Sequence, residues 1–223
     1  DEIKKDIDLL VVGVSSKGIQ WIGEEISNFY NNSIDILLLT KGLAVIDNHF
    51  ETLAEKLNKI LIENGIKNSK ISAVGGPCLA NGLVNRMIGA SEGLSSSSLD
   101  NETKNKYYLN TAASLAYKSV LEMKNLTERL NGKAETAYGL SGLGDLYVSS
   151  AGGRNSKMGY YLGQGHLFKE AKDKFMRDIT VEGADLAFEI GPKILKEFDQ
   201  KEFPLLISVI ESICKNKKLV INW

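Results

Sequence analysis

Ile7-Asp-Leu-Leu-Val-Val-Gly-Val14 is a short apolar run of the kind found in strands buried on both faces of a parallel sheet. The segment after it changes period. Between Gly18 and Tyr30, Ile19, Ile22, Ile26 and Phe29 or Tyr30 recur at helical spacing, with Glu24 and Glu25 on the opposite side. Asp35-Ile-Leu-Leu-Leu39 repeats the strand signal, Phe50, Leu53, Leu57, Ile60 and Leu61 predict a second amphipathic helix, and Ile71 to Val74 a third strand. Strands alternating with helices predict parallel β-α units, whose ligands sit outside the carboxyl ends of the strands. The loops there are Thr40-Lys41-Gly42 and Gly75-Gly-Pro-Cys-Leu-Ala80.

Beyond residue 86 the pattern is helical. Leu109, Ala112, Ala113, Ala116, Val120, Met123, Leu126 and Leu130 predict one long helix over Tyr107 to Leu130, stopped by Asn131-Gly132. The Ser95–Ser98 tract ahead of it reads as a loop. Further helices are expected over Ser156–Leu162, Phe168–Met176, Glu182–Glu197 and Leu205–Lys215. The fold class is therefore an α/β Rossmann-like domain over residues 1–86, followed by a mainly α-helical domain over 87–223.

A formal charge of −1 over 223 residues, spread without basic or acidic blocks, favours neither nucleic acid nor an anionic membrane as partner. Cys78 and Cys214 are too few and too distant for a disulfide framework, and no apolar run approaches a membrane span, so a cytoplasmic protein is expected. His49 and His166 stand alone, without further ligands at metal-binding spacing, and read as surface histidines; no metal site is expected. No Walker-type glycine-lysine loop is present.

The chemistry concentrates in Gly139-Leu-Ser-Gly-Leu-Gly-Asp-Leu-Tyr-Val-Ser-Ser-Ala-Gly-Gly-Arg-Asn155. Gly152 and Gly153 let backbone N–H groups approach an oxyanion without a Cβ in the way. Arg154 adds a planar fork suited to phosphate, and Asn155 adds amide donors. Asp145 is open to two readings: a helix or turn cap, or a carboxylate that orients a basic catalytic group.

With Thr40-Lys-Gly-Leu43, Gly76-Pro-Cys-Leu-Ala80, Asn110-Thr-Ala-Ala113, Leu121-Glu-Met123, Leu162-Gly-Gln-Gly165, Val181-Glu-Gly183 and Phe203-Pro204 in the same order, the chain resembles the NAD(P)-dependent sn-glycerol-3-phosphate dehydrogenases. The resemblance implies an oxidoreductase that interconverts sn-glycerol 3-phosphate and dihydroxyacetone phosphate by hydride transfer with NAD or NADP, as a homodimer. It implies catalytic roles for Asp145 and Lys41. It gives Lys41, Gly76, Cys78, Asp145, Gly153, Arg154 and Asn155 to the substrate, and Lys41, Ala80, Arg154, Thr180 and Glu182 to the cofactor. Cys78 stands where the family usually has a hydroxyl residue. The resemblance also implies a longer polypeptide: the family's Gly-x-Gly-x-x-Gly turn would precede Asp1, and several dozen residues, among them the acid-base lysine of a Lys-Asn pair, would fall between Arg86 and Met87. Lys67-Asn68, Lys104-Asn105, Lys124-Asn125 and Lys215-Asn216 stand in unrelated contexts. A dehydrogenase for another small hydroxy acid, and a non-catalytic binding or dimerisation fragment of this fold, are the rival readings.

Overall fold

The computed structural model describes residues 7–30, 32–74, 109–150 and 152–221, the side chains of 109 and 110 excepted. The chain divides into two compact units, Asp1–Gly75 and Gly76–Trp223. The Gly75–Ala80 loop, the Arg86-Met87 junction and the Ser95–Ser98 tract lie outside the described residues.

In the first unit, β1 (Leu10–Val12), β2 (Ile36–Leu38) and β5 (Ile71–Ala73) form a parallel sheet in the order β1-β2-β5, with Leu10 opposite Ile36 and Ile36 opposite Ile71. Helices α1 (Ile19–Phe29) and α2 (Leu53–Glu63) cover one face, packing Ile19, Ile26, Leu57, Ile60 and Leu61 against Val12, Ile36 and Leu38. Helix α2 starts at a capping box: the Thr52 hydroxyl accepts from the Glu55 N–H at 3.1 Å, and the Glu55 carboxylate accepts from the Thr52 N–H at 2.6 Å. The opposite face of the sheet is apolar and open among the described residues, with Leu9, Val11, Leu39 and Val74 exposed. The expectation of strands buried on both faces therefore holds on one face only, because both described helices lie on the same side.

A second difference is local. Phe50 does not open a helix; it lies in β4 (His49–Thr52), paired antiparallel with β3 (Leu43–Ile46). Asp47 and Asn48 both take left-handed φ, 49° and 63°, which is the two-residue turn that joins strands of native twist.

In the second unit, α3 (Leu109–Arg129) ends as expected, with Asn131 left-handed at φ 61° and the Gly132 N–H donating to the Thr127 carbonyl at 2.8 Å. It is followed by α4 (Glu135–Tyr138), a wide π turn over Leu140–Gly144, α5 (Asp145–Ser150), α6 (Arg154–Gly163), α7 (Phe168–Phe175), α8 (Glu182–Glu197) and α9 (Pro204–Cys214). Pro204 to Ile210 are all buried, so α9 is the central helix, and α8 packs along it.

Helix α9 begins without a capping side chain of its own, as Phe203 precedes Pro204. Glu122 of α3 supplies the cap: its two carboxylate oxygens accept the Leu205 and Leu206 N–H groups at 3.0 and 2.9 Å. Burial pushes the Glu122 carboxyl up to about 7, against the pull of those two N–H groups and the Lys118 charge. No helix among the described residues is long and apolar enough to cross a membrane.

Candidate active site

The glycine-rich run folds because two of its glycines have no substitute. At Gly142 a Cβ would lie 2.2 Å from the Ala137 carbonyl oxygen, so only glycine lets the π turn fold back on α4. Wide turns of this kind are frequent at functional sites. The turn delivers Asp145 to the first position of α5, half-buried, beside Leu146, which anchors in a cluster with Met123 and Ala137.

Gly153 is the second. It precedes α6 with φ 120° and ψ 173°, a conformation closed to residues bearing a Cβ, and no side chain caps the helix there. The Ser156 hydroxyl donates to the Ser150 carbonyl at 3.4 Å, tying the first turn of α6 to the end of α5.

Across this helix start lies another. Val181 precedes α8, again with no side-chain cap. Asn155 fills that role from α6: its Oδ1 accepts the Gly183 N–H at 3.1 Å. Arg154 reaches the same turn, its Nη2 donating to the Glu182 Oε1 at 2.5 Å. Two helix N-termini, each carrying about half a positive charge, and one guanidinium are thus gathered in one place, offset by the Glu182 carboxylate paired with Arg154 and by Asp185 in the same first turn of α8. The Arg154 and Glu182 side chains retain 52% and 65% of their exposure, which makes this a solvated ion pair that an incoming anion can replace.

The structure therefore joins Gly153, Arg154, Asn155 and Glu182, and Thr180 lies exposed just ahead of α8. Lys41 belongs to the other unit. It is exposed at the carboxyl end of β2, between Thr40, whose hydroxyl donates to the Val14 carbonyl, and Gly42 at φ 147°. Gly76, Cys78 and Ala80 lie outside the described residues. His166 is not a bare surface histidine: it lies edge-on to Tyr161 and Phe175, with its Nδ1 at 3.3 Å from Glu170.

Residues 101–222 match the family model for the C-terminus of NAD-dependent glycerol-3-phosphate dehydrogenase, more than half of the chain. This chain belongs to that family. The NADP(+)-dependent glycerol-3-phosphate dehydrogenase of Archaeoglobus fulgidus is 25% identical over 239 positions, covering 85% of this chain and 70% of the relative. Those 239 positions exceed the 223 residues here, so the match includes positions of the archaeal sequence with no counterpart in this chain. Glycerol-3-phosphate dehydrogenase [NAD(P)+] of Clostridium acetobutylicum is 34% identical over 109 residues, spanning 48% of this chain and 32% of its own. The glycerol-3-phosphate dehydrogenase structure from Saccharomyces cerevisiae shares the fold at a TM-score of 0.73 and 15% identity, over 96% of this chain and 74% of that one.

Sequence reasoning passed over Lys172 and gave Glu122 no role beyond its place in Leu121-Glu-Met123. Glu122 is a carboxylate inside an apolar stripe, and the capless Phe203-Pro204 start was the signal that a cap must come from elsewhere. Lys172, near the end of α7, bonds three backbone carbonyls; a basic residue in a last turn is a general hint only.

Proposed function

We propose that the start of α6 is the phosphate cradle of an enzyme that interconverts sn-glycerol 3-phosphate and dihydroxyacetone phosphate with NAD or NADP. The observation that carries this reading is the meeting of Arg154 and Asn155 with the first turn of α8. A phosphate ester carries about −1.5 to −2 charge near pH 7. It competes well for a guanidinium held only by one exposed carboxylate. The Asn155 oxygen is committed to Gly183, which leaves its Nδ2 donors for the ligand, and the N–H groups beside Gly153 face the same helix end.

Lys41, Thr180 and Glu182 fit the cofactor as exposed polar groups, Lys41 beside a glycine whose positive φ keeps a Cβ out of the loop. Ala80 belongs to the same reading through its backbone, as Gly76 and Cys78 do for the substrate. No Gly-x-Gly-x-x-Gly run, the usual pyrophosphate turn, lies within residues 1–223. When bound, the nicotinamide supplies the hydride chemistry. The chain's own groups hold the phosphate so that C2 is fixed, and Asp145 and Lys41 manage the C2 hydroxyl proton, Asp145 by orienting a basic group.

Calorimetry with sn-glycerol 3-phosphate tests the cradle. Arg154→Ala removes a charge-assisted contact of roughly 1.5–3 kcal/mol, so the Kd should rise about 10- to 150-fold. Equal affinity in the variant, or equal binding of a non-phosphorylated hydroxy acid, would overturn the reading. NADH oxidation dependent on dihydroxyacetone phosphate tests the reaction. A cytoplasmic setting and a homodimer belong to the same proposal: the low cysteine count supports the first, the exposed apolar side chains Tyr117, Leu140, Tyr147 and Val148 support the second, and sedimentation equilibrium checks the dimer.

A further inference from the structure

We propose that Lys172 is a positioning residue for the cradle between α6 and α8. Its ammonium donates to the carbonyls of Met176, Arg177 and Ile179 at 2.7, 2.6 and 3.0 Å. An ammonium has three N–H donors and no acceptor, so this arrangement uses its full capacity. All three carbonyls lie beyond α7, which ends at Phe175, in the connector that leads to α8. Lys172 thus organises a loop rather than the end of its own helix.

The connector is short and sparsely bonded. Its backbone contacts include Met176 N–H to the Lys172 carbonyl at 3.2 Å and Ile179 N–H to the Met176 carbonyl at 3.1 Å. Met176 and Val181 bury their side chains at its two ends. Between them the Lys172 ammonium converges on the backbone, and the next residues are Thr180, then Glu182 and Gly183, which meet Arg154 and Asn155. Lysine suits this place because a compact point charge fits three converging oxygens, whereas the planar guanidinium fork of arginine does not. Removing the ammonium frees three carbonyls to seek water and shifts Gly183 away from Asn155, so the amide that should face phosphate loses its fixed orientation.

The inference rests on the phosphate-cradle reading, and one set of measurements separates the two. Affinity for sn-glycerol 3-phosphate is measured by calorimetry for the wild-type chain, Arg154→Ala, Asn155→Ala, Lys172→Met and the Asn155→Ala/Lys172→Met pair, each checked for folding by circular dichroism. Lys172→Met should weaken binding about fivefold, the scale of one net hydrogen bond. In the Asn155→Ala background the same change should cost less than twofold, because the two residues act through one contact. A purely structural lysine would leave the affinity of folded protein unchanged, or weaken it equally in both backgrounds, and either result overturns the proposal. If Lys172→Met does not fold, Lys172→Arg carries the test, with wild-type affinity as the refuting result. Absence of binding by the wild-type chain sinks the cradle and this proposal together. Wild-type binding lost in Arg154→Ala but untouched in Lys172→Met sinks this proposal alone.

Discussion

Glu122 sets up a pH dependence that one substitution can isolate. Its carboxyl is raised from an ordinary 4.5 to about 7 in the folded protein, by burial. Between those values the folded state holds a proton that the unfolded state has released, so stability falls as pH rises through the window and is level on either side. A shift of about 2.5 units at 1.36 kcal/mol each gives a loss of roughly 3 kcal/mol from below pH 4.5 to above pH 7. Glu122→Gln replaces the acid with a neutral group of the same shape. Near pH 4 the two proteins should unfold with similar free energy. Above pH 7 the wild type bears a buried charge, and the glutamine variant bears one Leu205 or Leu206 N–H without its acceptor, at about 1–3 kcal/mol. The free-energy difference between them, from urea unfolding at a series of pH values, should therefore move by about 3 kcal/mol in favour of glutamine between pH 4 and 8. Taking the difference cancels every other titrating group. A difference that stays constant across the series would refute the reasoning, because it would mean that the two N–H bonds offset burial and hold the carboxyl at its ordinary value.

Two further substitutions test the local geometry. Gly142→Ala forces a Cβ against the Ala137 carbonyl, so the turn must open; a loss of several kcal/mol of stability or a displaced α5 is expected in thermal unfolding and circular dichroism, and a neutral result would mean that the turn relaxes freely. Thr52→Ala removes the side-chain half of the α2 capping box and should destabilise the first unit by about 1 kcal/mol, read from chemical unfolding, with Thr52→Ser restoring most of it.

Most helices were legible because each carries an unbroken apolar period; α8 runs over Glu182–Glu197, the span its sequence predicts. The β3–β4 hairpin was not, since its strands are four residues each and its turn is Asp-Asn rather than the stronger Asn-Gly signal. Residues 135–150 were also hidden. They break into two short helices around a π turn, and what shapes that turn is the approach of Gly142 to Ala137, a contact with no periodic signature.

The site divides along a similar line. Gly153, Arg154 and Asn155 were visible because they are adjacent and chemically distinctive, and Glu182 was visible from its motif. That α6 and α8 start side by side depends on tertiary packing across 28 residues, and motif reading does not supply it. Lys172, which it missed, and Glu122, which it met only as part of Leu121-Glu-Met123, both bond to backbone groups, which are the same at every position and do not show in a sequence. A trace of them exists all the same. A helix start must satisfy its free N–H groups, and both Val181-Glu182 and Phe203-Pro204 open helices with no side-chain cap. In each case the acceptor comes from another helix, Asn155 in the first and Glu122 in the second. At these two starts the missing cap is supplied by a long-range polar contact, as it is at α7, where the Asn216 Oδ1 accepts the Lys169 N–H at 2.9 Å. The contact from Glu122 holds the start of the central helix, and the contact from Asn155 joins the starts of α6 and α8.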